Sequence, residues 1–164
     1  MSAPISVLLV TVGGKRFALD AREVVEVLPV VAFRPAGTGP KWLLGLFNLR
    51  GALLPLVDLS IIVDGAPTAS RLGSRIVVLR LDGDLFEGAT RSVGLLVPEV
   101  AGLAIRDFHA NGAHEGFSFA GAPHLGPTVA DEEGTLQLLR CRRLLEGDAA
   151  LRELPSLSAD GGIG

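Results

Sequence analysis

The 164-residue sequence has one cysteine, one tryptophan, one methionine, three histidines and no tyrosine. A single cysteine, Cys141, excludes an internal disulfide framework and a cysteine-based zinc site. Charge is also scarce: 20% of residues are Asp, Glu, Lys or Arg, against about 25% in an average soluble domain. Fifteen basic and eighteen acidic side chains leave a net charge of −3 and a pI near 5.6. That balance argues against a nucleic-acid partner, and an aromatic content of 5% leaves few platforms on which bases could stack.

Residues 42–63 (WLLGLFNLRGALLPLVDLSIIV) form the one apolar run long enough to span a bilayer. Arg50 and Asp58 lie well inside it, and each would cost about 2.5–3.5 kcal/mol at the centre of a membrane helix. Asn48, Gly51 and Pro55 weaken a helix further, so the run reads as strand, turn, strand, with no direct membrane insertion. The apolar stretch 5–12 (ISVLLVTV) is preceded by no Lys or Arg and followed by no small-residue cleavage site, unlike an export signal. A cytoplasmic location is expected.

What is abundant is apolar side chains (48%), together with 21 Gly and 10 Pro. The first can fill a core and leave apolar surface for a partner; the second imply many turns and short strands. Segments 5–12 and 15–19, joined by Gly13-Gly14, read as a β-hairpin. Asp20 is a plausible N-cap for a short helix over 21–25, with Glu23 completing a capping-box pattern. Pro29 restricts any strand over 26–31 to a short piece or a sheet edge. Residues 34–41 read as a turn-rich connection. Strands are expected at 47–49 and 52–57, around Arg50-Gly51, with Asp58 capping a short helix to Val63. Further strands are expected at 75–81 (RIVVLRL), 92–97, 100–105 and 134–139, followed by a helix over 140–145. Residues 107–128 lack a stable period and read as a long loop, with a short strand around Phe117–Phe119 as an option. The expected domain covers residues 1–150, and 151–164 reads as a frayed tail. About eight to ten short strands with no βαβ alternation point to antiparallel sheets closed into barrels.

Residue patterns that carry chemistry are missing. His109, His114 and His124 all fall in the Gly/Ala-rich loop, at spacings that fit no helical metal motif. They read as solvated loop residues; the rival reading is a small-molecule or metal sensor that uses loop 107–128. Asp82/Asp84 and Asp131/Glu132/Glu133 flank hairpins, where acids ordinarily solubilise turns. No nucleophile elbow, P-loop or dinucleotide fingerprint is present. Cys141 reads as a packed residue on the last helix, and Arg140, Arg142 and Arg143 as cations suited to a helix C-terminus. No catalytic residue, metal ligand or cofactor is therefore assigned.

Arg50 stands out. It follows a strand in GLFNLRGALLPLVDL, between apolar residues and before a glycine. A guanidinium there must find carboxylates or carbonyls, such as Asp58, or project toward a partner. The residues alone leave both readings open.

The same stretch, residues 45–59, resembles the signature segment of CheW-like domains, the chemotaxis coupling proteins and the regulatory domain of their histidine kinases. The resemblance extends outward. GGKRFALDAREVVEV (13–27) is similar to the family's opening hairpin and its Val-x-Glu-hydrophobic element. RIVVLRL and VGLLVPEVAGL (93–103) resemble the strand pair before the family's valine-rich turn, and GTLQLLRCRRLL (134–145) its closing strand and helix. The chain departs from the family pattern at Arg140 and Pro98. The resemblance spans about residues 5–146. It implies a mostly all-β fold of two small, SH3-like five-stranded barrels sharing a hydrophobic core, with a few short helices. It also implies a non-catalytic adaptor that couples the cytoplasmic tip of a methyl-accepting chemoreceptor to the regulatory domain of a CheA-like histidine kinase. The pathway would be chemotaxis or a related one controlling pili, gliding or surface attachment. By the family's pattern the partner-binding positions are Val24, Glu26, Gly45 and Arg50.

Overall fold

In the computed structural model, which describes residues 3–81, 91–109 and 124–144, Gly13 and Gly14 turn β1 (Ile5–Val12) back into β2 (Lys15–Asp20). Val12 lies opposite Lys15, and both glycines have positive φ, 56° and 77°. This is the two-residue turn whose twist matches that of the strands it joins. The Asp20 carboxylate accepts a hydrogen bond from the Arg22 backbone N–H at 3.0 Å, capping a single 3-10 turn, Ala21–Glu23. The expected helix to Val25 is not formed. Val24 and Val25, both β-branched and poor in helices, instead begin β3 (Val24–Pro29), which ends at Pro29 and lies at a sheet edge.

The chain continues through β4 (Arg34–Pro35), β5 (Leu43–Leu49), β6 (Ala52–Asp58) and α1 (Leu59–Asp64). Asp58 caps α1 as expected, accepting from the Ser60 N–H at 3.0 Å. Next come β7 (Arg75–Leu81), β8 (Arg91–Val97), β9 (Glu99–Arg106), β10 (Leu125–Asp131), β11 (Gly134–Leu139) and α2 (Cys141–Leu144). β10 falls partly in the segment expected to be a loop. Gly126 and Pro127 hide its strand character, and a register irregularity between Leu125 and Thr128 accommodates them at the sheet edge. The suggested strand around Phe117–Phe119 and the turn over 82–90 lie outside the described residues, as does the tail. No helix among the described residues is long and apolar enough to cross a membrane.

Two sheets result. Sheet A has the order β10-β11-β2-β1-β9, and sheet B the order β3-β7-β8-β6-β5-β4. Sheet B thus has one strand more than the five expected, the two-residue β4. Both sheets curl. In sheet B, β3 and β4 are successive in sequence yet lie at opposite edges. The link from Pro29 to Arg34 reaches at most about 18 Å, whereas the edges of a flat six-stranded sheet stand about 24 Å apart. In sheet A, Arg106 at the end of β9 contacts Asp131 at the end of β10 at 3.2 Å, although these are the two edge strands.

Curling buries both faces of central strands such as β7 and β8, which explains why the antiparallel run RIVVLRL reads as largely apolar, while the edge strands β3 and β9 keep an exposed face. Alternate residues point to different cores. Leu8, Val10, Phe17 and Leu19 of sheet A meet Val77, Leu79 and Leu95 of sheet B in a shared seam. Val7, Ala18, Phe108 and Leu136 fill the inside of sheet A. Phe47, Leu54, Leu56, Ile76 and Val78 fill the inside of sheet B. Each fully buried aliphatic or Phe side chain contributes roughly 1.5–3 kcal/mol of transfer free energy. The architecture is a mostly β fold of two SH3-like subdomains joined by a common apolar seam.

Candidate functional site

The hairpin between β5 and β6 has the same length as the first one: Leu49 lies opposite Ala52, with Arg50 and Gly51 between. Here the first turn position is arginine. Arg50 (φ 50°) is the sole non-glycine residue with positive φ among the described residues. Its Cβ makes that conformation unfavourable, and Asn or Gly would suit the place better. The Asn48 Oδ1 accepts from the Gly51 N–H at 2.9 Å and helps to hold the turn.

That side chain reaches across the curl of sheet B to β3. Arg50 Nη1 and Nη2 donate to Glu26 Oε1 and Oε2, each at 2.8 Å, a two-pronged pairing of fork and carboxylate. The hydrogen bonds from Arg50 lower the Glu26 carboxyl pKa, and the carboxylate raises that of the guanidinium. The pair remains open to water, with the Arg50 side chain 71% and Glu26 23% exposed. Asp58, the acid considered from sequence, is engaged elsewhere: its buried carboxylate accepts from Ser60 and Thr68. Arg50 is therefore neither buried in its own loop nor free.

Glu26 and Arg50 are thus brought together, and Val24 and Gly45 sit differently. Val24 packs against the shared seam, and a register shift in β3 follows it. The outward side chains of this edge strand are Val25 and Val27, 54% and 38% exposed, and the apolar surface continues through Val30, Val31 and Phe33. These residues were missed from sequence; the alternation in VVEVLP and the edge position implied by Pro29 were the signals available. Gly45 is buried in β5, where β4 crosses it and Pro35 is its partner. A Cβ at Gly45 would land on the Arg34 carbonyl oxygen. Its close backbone approach is to its own chain.

A second arginine–carboxylate cluster closes sheet A. Arg16 Nη1 and Nη2 donate to Asp131 Oδ1 and Oδ2 at 2.6 and 2.9 Å, and Arg106 Nη2 donates to Oδ2 at 3.2 Å. The hydrogen bonds, that from Arg16 foremost, hold the Asp131 carboxyl well below its ordinary pKa. Asp131 was read as a solubilising turn residue; it is a clamp between strands that are not neighbours. Burial pushes the Cys141 thiol pKa far up, which suppresses the reactive thiolate. His109 is exposed, His124 is half-buried and His114 lies outside the described residues. Among the described residues no three His, Cys, Asp or Glu side chains are grouped to hold a metal ion.

The two curled sheets and their shared seam fit a known domain. A family model described as a CheW-like domain matches residues 6–149. The chain belongs to the CheW-like domain family. Among solved structures, this CheW-like chain is similar to the scaffolding protein TtCheW from Thermoanaerobacter tengcongensis. The TM-score is 0.72 at 19% sequence identity, covering 88% of this chain and 89% of that one. A search of curated proteins finds no match.

Proposed function

We propose that this CheW-like domain is a non-catalytic adaptor that joins the cytoplasmic tip of a methyl-accepting chemoreceptor to the regulatory domain of a CheA-like histidine kinase, in chemotaxis or a chemotaxis-like pathway. The observation that carries this reading is the exposed Arg50–Glu26 bridge, held on a strained turn beside the apolar edge strand β3. An open charged pair and an apolar strand edge are both features of a partner surface: Val25 and Val27, on the face of β3 opposite to Glu26, supply burial, while the charges set register. Glu26 and Arg50 are the contact residues of this surface. Val24 and Gly45 act by shaping it, Val24 from the seam and Gly45 by admitting β4.

Coupling follows from holding two partners at once. If receptor and kinase each bind one arrangement of the adaptor better than another, the receptor's state biases the kinase's active population. Size-exclusion chromatography of the three purified components tests this. The expected result is a single ternary complex containing the kinase regulatory domain, the receptor tip and this chain. Failure of the chain to co-elute with either component would remove the reading.

A further inference from the structure

A hollow of about 500 Å³ opens where the two sheets meet, lined by the β1–β2 turn and Glu99 of β9 on one side and by α1 and the loop over 65–74 on the other. A cleft of this size between two structural units is a usual place for a small molecule. Pro67, Ala69 and Pro98 give it an apolar wall. Its charged groups are of both signs and are little used within the chain. The Arg71 and Glu99 side chains are exposed and make no hydrogen bond or ion pair among the described residues. Asp64 has a loose contact with Lys15 at 3.9 Å. Its carboxylate lies against the β1–β2 turn, where a Cβ at Gly13 would stand 2.8 Å from Oδ2.

Ser60, buried in the floor of α1, adds a group of fixed direction. The Thr68 hydroxyl donates to Asp58 Oδ1 at 2.6 Å, so the Ser60 hydroxyl, 2.7 Å from that of Thr68, is the donor between these two. Its proton is therefore committed, and among the described residues its oxygen accepts from no other group. A chain of hydrogen bonds that ends on a buried carboxylate strengthens that oxygen as an acceptor. Arg71 is held in place by its backbone: its carbonyl accepts from the Ser74 N–H at 3.1 Å, and the buried Ser74 hydroxyl donates to the Ala69 carbonyl at 2.9 Å. The hollow thus presents acceptors from Asp64, Glu99 and Ser60 together with a guanidinium. A simple anion would meet two carboxylates there, and a simple cation would meet Arg71; a molecule with both charges is matched at each end. We propose that the hollow binds a free α-amino acid. Asp64, Glu99 and Ser60 take its ammonium, Arg71 takes its carboxylate in a two-pronged pairing, and its side chain lies on the proline-rich wall. The site uses neither Glu26 nor Arg50 and stands independently of the adaptor reading.

Amide NMR spectra of the full chain, recorded with each of the standard free L-amino acids at about 10 mM, test it, with a dissociation constant on the order of 0.1–1 mM expected for the best of them. Shifts should centre on Gly13, Gly14, Arg71 and Glu99. The N-acetyl and carboxamide forms of that amino acid each lack one charge and should bind at least tenfold more weakly. Arg71→Gln and Glu99→Gln, both at exposed positions, should weaken binding to the same degree with unchanged melting temperatures. Spectra that no amino acid changes, or shifts centred away from the hollow, would overturn the proposal. So would blocked forms that bind as the free amino acid does, or a folded Arg71→Gln variant with wild-type affinity.

Discussion

Each barrel carries an arginine–carboxylate bridge between strands that are not neighbours in its sheet, yet the two bridges live in different solvents. Arg16 and Asp131 in sheet A are 17% and 14% exposed, and Arg106 completes the cluster. Arg50 in sheet B is 71% exposed. The geometry is similar, two-pronged in both, but the consequences diverge. Where water reaches the pair only partly, removing one partner leaves the opposite charge poorly compensated, at a larger cost than at an open surface. Where water reaches the pair, solvent replaces the lost partner and salt screens what remains. The first bridge therefore belongs to the stability of the fold. The second contributes little to stability and leaves its charges open to solvent.

Variants can break this contrast. Asp131→Ala should have the largest effect on stability. It leaves Arg16 with only its longer contact to the exposed Glu133 at 3.6 Å and Arg106 without its carboxylate, and should cost about 2–3 kcal/mol, a fall in Tm on the order of 6–10 °C by calorimetry. Acid titration sharpens the point. The Asp131 pKa is lowered in the folded state, so its stabilisation is fully present above the unfolded carboxylate value of about 3.9 and is lost as pH falls below it. Urea melts of wild type should weaken steeply from about pH 4 downward, and Asp131→Asn should flatten that slope. A variant with the wild-type slope would remove Asp131 from the clamp. The smallest stability change is expected for Arg50→Asn, because asparagine tolerates the left-handed turn that arginine strains. Its Tm should stay within a few degrees of wild type or rise slightly, while partner binding falls. The double reversal Glu26→Arg/Arg50→Glu restores the bridge with its polarity inverted. It should fold normally and still bind poorly if the charges face a partner; wild-type affinity would mean that the bridge matters only as a brace.

Much of the architecture was legible because turns and caps are local. Gly13-Gly14, Arg50-Gly51 and Asp58 each announced an element boundary, and the apolar runs announced strands. What escaped was non-local. β10 was hidden by Gly126 and Pro127, whose disfavoured positions are tolerated at the sheet edge. The role of Asp131 depends on a curl that brings β2, β9 and β10 together, and nothing in the run DEE reveals that. The candidate site was half legible. Glu26 and Arg50 could be named from their motifs, but their pairing spans 24 positions of sequence and required the closed sheet. Val25 and Val27 were passed over because a half-step shift in β3 decides which valines face out.

The central claim is that the Arg50 face binds partners while the rest of the molecule holds the fold. Isothermal titration of wild type and Arg50→Glu against the kinase regulatory domain and the receptor tip, with Tm measured on the same samples, tests it most directly. The account predicts that wild type binds both and that the variant melts within a few degrees of wild type while losing at least tenfold in affinity for one partner or both. An Arg50→Glu protein that binds as wild type does, or one that loses binding only because it has unfolded, would contradict it.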